Sequence, residues 1–258
     1  MSRTHSGVPP LSIVVPTYNE RESLPELVDS TFDAYATANL DGELIIVDDN
    51  SPDGTGALAD ELATRRRIRV LHRAGKLGLG TAVIEGFGQS DAPVVGVMDA
   101  DMSHPPAVLP QMLAVMHSAG ADVVVASRYI AGGGTRHWPA VRLMMSRLAC
   151  LMAAGLTPVA DATSGFFLIK RDLARAVQLS AGGFKICLEL LVRGAPARVL
   201  EVPYVFEGRS YGESKMNLRE ALGYLRQLRD LYRLERSRPA VQQVYRSLTA
   251  EQLRTDRG

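Results

Sequence analysis

The sequence predicts an α/β domain with a mostly parallel central sheet flanked by helices. Three observations point there. Short β-branched runs alternate with longer helical patterns through the first half of the 258 residues. Most of the runs are predominantly apolar, as in strands covered by helices on both faces. The segments between them are long enough for a helical crossover, the connection that parallel neighbours require.

Taken in order, Leu11–Pro16 (LSIVVP), Glu43–Asp48 (ELIIVD), Ile68–His72, Val94–Asp99 (VVGVMD) and Asp122–Ser127 (DVVVAS) read as strands. Helices are expected over about 21–38, 54–66, 78–89 and 108–119. The second half is less regular. It offers a glycine loop at 132–134, a Met- and Leu-rich helix over 141–156, a strand over 201–206 and a long Arg/Leu-rich helix over about 217–236. Residues 1–10 read as a flexible N-terminus, 11–236 as one catalytic domain, and 237–258, after the break at Pro239, as a polar tail.

Composition narrows the function. Hydrophobic residues at 46% and charged residues at 22% suit a folded domain, and a net charge of +1 argues against bulk binding of nucleic acid. The two cysteines, Cys150 and Cys187, fall in no paired motif, so neither a disulfide framework nor a zinc site is expected. The N-terminus has no apolar signal stretch, and no run approaches the ~18 apolar residues of a membrane span.

Ligands of open parallel sheets bind beyond the carboxyl ends of the strands. Three of those ends carry polar chemistry here: Pro16-Thr17-Tyr18-Asn19-Glu20, Asp48-Asp49-Asn50-Ser51-Pro52-Asp53, and Asp99-Ala100-Asp101. Carboxylates gathered at one edge repel unless cations compensate, and hard divalent ions prefer such oxygens. If the strand runs on through Asp99-x-Asp101, both side chains face one way and can address one ion. A solvated turn is the other reading of that tripeptide, and helix capping and turn formation are the other reading of DDNSPDG. His104, beside the acidic pair, is a third ligand or a structural contact. No GxGxxG follows the first strand, and Gly75–Gly80 (GKLGLG) lacks the order of a phosphate-binding P-loop, so it reads as a tight turn opening a helix.

With VPTYNE, VDDNSPDGT, GLGTA, DADMSHPP, SRY, DATSGF, GFKICLEL and EVPYVFEGRSYGESK in this order, the chain resembles the family-2 glycosyltransferases from about residue 11 to 220. Among them it is most similar to the dolichol-phosphate (polyprenol-phosphate) mannose synthases, in a form without transmembrane helices. The resemblance implies a GT-A fold and inverting transfer of mannose from GDP-mannose to a polyprenyl or dolichyl monophosphate. Transfer of another hexose, such as glucose from UDP-glucose, is the alternative, and a non-catalytic sugar-nucleotide-binding subunit a more distant one. It further implies that Pro16, Tyr18, Glu20, Val47 and Asp49 hold the nucleotide. Asp99, Ala100 and Asp101 would form the diphosphate and metal site, with Mg²⁺ or Mn²⁺ on Asp99 and Asp101. Arg128, Arg209 and Lys215 would surround the reacting phosphates, and Arg128, Arg142 and Ser146 would hold the acceptor phosphate. Some relatives carry Gln where Ser103 stands.

Arg142 and Ser146 are four residues apart on a predicted helix and so share one face. Arg209 and Lys215 flank a glycine-containing loop suited to closing over phosphates. The helices 141–156 and 217–236 are basic and amphipathic, which suits the surface of an anionic membrane or simple packing against the core. The expected location is the cytoplasmic face of a membrane, reached directly or through a membrane-anchored partner.

Overall fold

A computed structural model of the chain describes residues 7–179, 185–208, 218–237 and 244–249. In chain order the elements are β1 (Leu11–Thr17), α1 (Leu24–Thr37), β2 (Glu43–Asp48), α2 (Thr55–Ala63), β3 (Ile68–His72), α3 (Leu79–Gln89) and β4 (Val94–Val97). A 3₁₀ turn at Pro106–Val108 leads into α4 (Leu109–Ser118), β5 (Val123–Ser127), β6 (Gly134–Thr135) and α5 (Ala140–Ala153). Then come β7 (Phe167–Lys170), α6 (Arg171–Ala176), α7 (Ile186–Arg193), β8 (Arg198–Pro203), β9 (Val205–Phe206), α8 (Leu218–Arg236) and β10 (Val244–Ser247).

Among the described residues the central sheet has eight strands in the order β10-β8-β5-β7-β4-β1-β2-β3. Every pairing is parallel except those of β7, which runs antiparallel between β4 and β5. The mostly parallel sheet expected from the sequence is therefore present, with its strands fully buried from Leu11 to Val15 and from Leu44 to Val47. β7 is one of the elements the sequence did not announce. Its four residues, FLIK, have no period of their own and follow a turn, so only their place between two buried strands makes them a strand.

One cluster of apolar side chains packs α1 and α4 on one face of the sheet. A second packs α3, α7 and α8 on the other. Gly86 shows how tightly α3 lies: a Cβ there would come within 2.5 Å of the Val14 side chain.

Three expectations about the elements change. β4 stops at Val97, two residues short of Asp99, and Met102 turns the chain with φ 62°. The acidic pair thus sits in a turn beyond the strand, and strand alternation does not orient it. Residues 244–247, read as part of a polar tail, extend the sheet as a parallel strand beside β8. In α8, expected as an amphipathic helix, the packed face is Tyr224, Gln227, Leu228 and Leu231, while Leu222 and Leu225 are about half exposed, so its leucines divide between core and surface.

Candidate active site

The carboxyl ends of β1 and β2 are laced together by their own polar side chains. Asp48 accepts from Thr17 Oγ1 (3.1 Å), Ser51 Oγ (2.5 Å) and Ser51 N (3.0 Å). Asp53 accepts from Thr55 N (3.0 Å) at the start of α2 and from Arg21 N (3.2 Å). Burial would raise the Asp53 pKa, but the Thr55 hydroxyl and the N–H groups of Thr55 and Arg21 hold it below the ordinary value. Asp48 and Asp53 thus build the turn, the structural reading of DDNSPDG.

Asp49 has another role. It is buried and receives both the Arg73 guanidinium and the Gly78 N–H (2.8 Å). Arg73 in turn reaches Thr81 Oγ1 (2.6 Å) and lies 3.2 Å from Glu85. The expectation that Asp49 joins Asp99 and Asp101 in one acidic cluster is not met: its negative charge is already compensated. Among the described residues no three of His, Cys, Asp or Glu gather as a metal-binding group. Nothing in the spacing announced Arg73.

Pro16, next to last in β1, lies opposite Val47 and in register with it. Tyr18 is half-buried, and the Lys76 ammonium lies 3.7 Å from the centre of its ring. Glu20 accepts from Ser23 Oγ (2.7 Å), and its N–H donates to Thr55 (3.0 Å). The nucleotide residues expected from the sequence, Pro16, Tyr18, Glu20, Val47 and Asp49, therefore all belong to the adjoining ends of β1 and β2.

The acidic turn beyond β4 is anchored from beneath. The Asp101 carboxylate is buried, and its Oδ1 accepts from Ser103 N (3.1 Å) and Ser103 Oγ (2.5 Å). Ser103 therefore fixes Asp101. The Asp99 side chain remains 34% exposed, open to a ligand. Its backbone N–H donates to His104 Nδ1 (3.0 Å), so that nitrogen is an acceptor and the neutral ring carries its proton on Nε2. Burial lowers the His104 pKa against the pull of Asp99 and Asp101. The ring stacks on Phe166 (centroids 5.0 Å apart) and meets Tyr204 and Phe206 edge-on. His104 is thus a structural contact, with Nδ1 already used.

Those aromatics lead to the basic half of the site. Phe206 packs edge-on against Trp138 at 4.9 Å. The Arg128 guanidinium lies 5.3 Å from the Trp138 ring centre and 5.8 Å from that of Phe206. The Arg142 guanidinium lies 4.1 Å and 5.7 Å from the same two rings. Two arginines, one just after β5 and one on α5, thus flank one aromatic pair. The Glu207 N–H donates to Ser103 O (3.1 Å), which fixes this wall to the acidic turn.

Arg128 is also the centre of a buried ion pair. Asp161 accepts from its Nε (2.7 Å), Nη2 (2.6 Å) and backbone N (2.9 Å). The fork is therefore occupied, and any phosphate meets the remaining edge of the guanidinium. Ser146 is half-buried, one turn beyond Arg142 on α5. Arg209 and Lys215 lie outside the described residues.

Lys185, just before α7, lies in the motif GFKICLEL, to which the sequence reading gave no role. Burial and then the Arg128 charge lower its pKa, while Asp99 and Asp161 raise it, so it shares the field of the site. Asp161 was likewise present in DATSGF but unassigned. A cavity of about 380 Å³ opens beside Tyr129, Arg147, Cys150, Leu151 and Val159.

The chain is similar to known proteins. Residues 12–177 match glycosyl transferase family 2. A dolichol-phosphate mannosyltransferase of Pyrococcus furiosus is 38% identical over 87% of this chain and 64% of its own length. The chain thus spans less than two thirds of that relative. A polyprenol monophosphomannose synthase of Mycolicibacterium smegmatis is 39% identical over 89% of this chain and 90% of its own. A dolichol-phosphate mannosyltransferase of Saccharomyces cerevisiae is 34% identical over 86% of each. In fold, glucosyl-3-phosphoglycerate synthase of Mycobacterium tuberculosis, solved with Mn²⁺, UDP-glucose and phosphoglyceric acid, superposes with a TM-score of 0.64. That match is at 20% identity and covers 90% of this chain and 81% of that one. The architecture is the GT-A fold. The chain belongs to glycosyl transferase family 2, in company with the dolichol- and polyprenol-phosphate mannosyltransferases.

Proposed function

We propose that the chain transfers mannose from GDP-mannose to a polyprenyl monophosphate, giving polyprenyl phosphate mannose and GDP with inversion at the anomeric carbon. The observation that supports it most is the pairing of an acidic turn with two arginines, Arg128 and Arg142, over the Trp138–Phe206 wall. Such a site matches a donor diphosphate on one side and an acceptor phosphate on the other. The names of the three relatives point to the same substrates.

Asp99 and Asp101 fit a divalent ion: both offer hard oxygen donors, and a Mg²⁺ or Mn²⁺ site of this kind is completed by phosphate and water. When bound, the ion neutralises charge on the leaving diphosphate. Ser103 holds Asp101 in place, and His104 holds the backbone of Asp99. The ends of β1 and β2 take the nucleotide, with Tyr18 against the base. Arg128, Arg142 and Ser146 orient the acceptor phosphate; Arg209 and Lys215 are the further cations that the motif supplies.

No side chain is needed as a base. The second pKa of a phosphate monoester is near ~6, so at neutral pH the acceptor is already the anionic nucleophile. Alignment and charge balance are the protein's tasks.

The lipid is met at a membrane surface. On α5, Val141, Met144, Leu148 and Leu151 expose between 51% and 70% of their surface on the helix that carries Arg142, and Arg147 lies among them. Among the described residues no helix is long and apolar enough to cross a membrane. Purified protein is to be incubated with Mn²⁺, polyprenyl phosphate in anionic vesicles, and labelled GDP-mannose or UDP-glucose. Mannosyl lipid is the expected product. A glucosyl lipid, or no lipid product from either donor, would refute the assignment. Vesicle flotation of Met144→Asp with Leu148→Asp reports the surface contact, and unchanged flotation would remove it.

A further inference from the structure

The strand β10 lies at the sheet edge, and its hydroxyl-bearing residue reaches a buried carboxylate. Tyr245 pairs in register with Val199 of β8 and donates its hydroxyl to Glu201 Oε2. Glu201 is fully buried in the middle of the β8 run. The same carboxylate accepts the backbone N–H of Ala160 at Oε2 (2.9 Å) and that of Asp161 at Oε1 (3.0 Å). Asp161, itself fully buried, then grips Arg128 through three hydrogen bonds. An unbroken set of polar contacts therefore runs from the last described strand to the arginine that faces the Trp138–Phe206 wall.

Three physical facts make this more than packing. Glu201 has no basic partner within ion-pair distance among the described residues, so N–H and O–H donors compensate its charge. Removing one donor leaves a buried carboxylate short of a partner, and its neighbours must shift to satisfy it. Those neighbours are the backbone groups of 160 and 161, whose position sets the Asp161 side chain. Finally, β10 is clipped by backbone bonds at both ends, Val244 N to Ala197 O (2.8 Å) and Leu248 N to Glu201 O (3.0 Å), so the Tyr245 ring is held in place.

We infer that Tyr245 and Glu201 are positioning residues for Arg128: the C-terminal strand sets the geometry of the phosphate-binding arginine through Glu201 and Asp161. This rests on the proposed role of Arg128 in the transfer.

The test uses the full chain and Tyr245→Phe, which keeps the ring and removes only the hydroxyl. The first readout is independent of turnover: the Arg128 Nε–H resonance in a ¹⁵N-arginine spectrum, assigned by its loss in Arg128→Lys. Its exchange with solvent is expected to accelerate in Tyr245→Phe by about threefold to tenfold, the effect of one weakened charged hydrogen bond. The second readout is kinetic. KM for polyprenyl phosphate should rise by a similar factor with KM for the sugar nucleotide unchanged, and this rise should vanish when Tyr245→Phe is placed in an Arg128→Lys background. Val244→Ala, on the same strand, should leave both readouts as in the parent. Unchanged Nε–H exchange in Tyr245→Phe overturns the inference, as does an equal KM rise in both backgrounds. If Arg128→Lys alone leaves turnover intact, the role of Arg128 fails, and the exchange measurement still decides the relay.

Discussion

Asp161→Ala should be among the most damaging single changes outside the apolar core. The wild-type carboxylate is fully buried, and the Arg128 side chain it holds is only 8% exposed. The substitution removes three hydrogen bonds of 2.6–2.9 Å and leaves a guanidinium without its counter-charge. Breaking a buried pair from one side costs about 3–5 kcal/mol. For a chain of this size about 1 kcal/mol moves the melting temperature by roughly 2–4 °C, so a drop of roughly 6–20 °C is expected. Thermal melting followed by far-UV circular dichroism measures that drop, and urea denaturation measures the free-energy loss, with the urea midpoint lowered at unchanged slope. Asp161→Leu combined with Arg128→Met removes both charges and should recover most of the loss, because the desolvation cost of the pair goes with it. A loss under about 1 kcal/mol for Asp161→Ala would mean that water reaches Arg128, and the account of a dry, oriented guanidinium would be wrong.

His104→Asn keeps an acceptor near the Asp99 N–H and should retain Mn²⁺ affinity within about threefold, whereas His104→Phe should weaken it by about tenfold, as for one lost buried hydrogen bond. Titration of Mn²⁺ by electron paramagnetic resonance in the presence of GDP compares them, and equal affinities would exclude positioning of Asp99 by the imidazole. Chelation of divalent ions should abolish transfer, with recovery on adding back Mn²⁺ or Mg²⁺; Asp101→Ala should not recover, and a variant that does would remove the metal role. Asp122, which accepts from Lys170 Nζ (2.7 Å) and Arg198 N (3.0 Å), should contribute to acid stability. Burial opposes its charge, but those donors lower its pKa below the unfolded value of about 3.9. Its contribution is therefore complete above that value and disappears as pH falls through the lower folded one. Asp122→Asn should flatten the acid limb of the stability curve below about pH 4, and an unchanged limb would contradict this.

Much of the molecule was legible in its sequence because local rules decide it. β1, β2, β3 and β5 came from apolar runs of strand length, and the helices between them from 3.6-residue periodicity, both of which survive without knowledge of neighbours. The acidic and nucleotide-side motifs were found because parallel strands all deliver their carboxyl ends to one edge. What the tertiary structure decided was partnership. Asp48, Asp49 and Asp53 look alike in sequence, yet of their carboxylates only that of Asp49 meets the guanidinium of Arg73, a residue 24 positions away brought alongside by β3. Likewise Arg128 and Asp161 are 33 apart, and nothing in either segment reveals that one fork closes on the other. β7 and β10 are short and lack a period, so their strand character exists only because a buried sheet offers each an unpaired edge. Residue types and periodicity are properties of the chain, whereas charge compensation depends on distance, and distance is set only when the sheet closes its order.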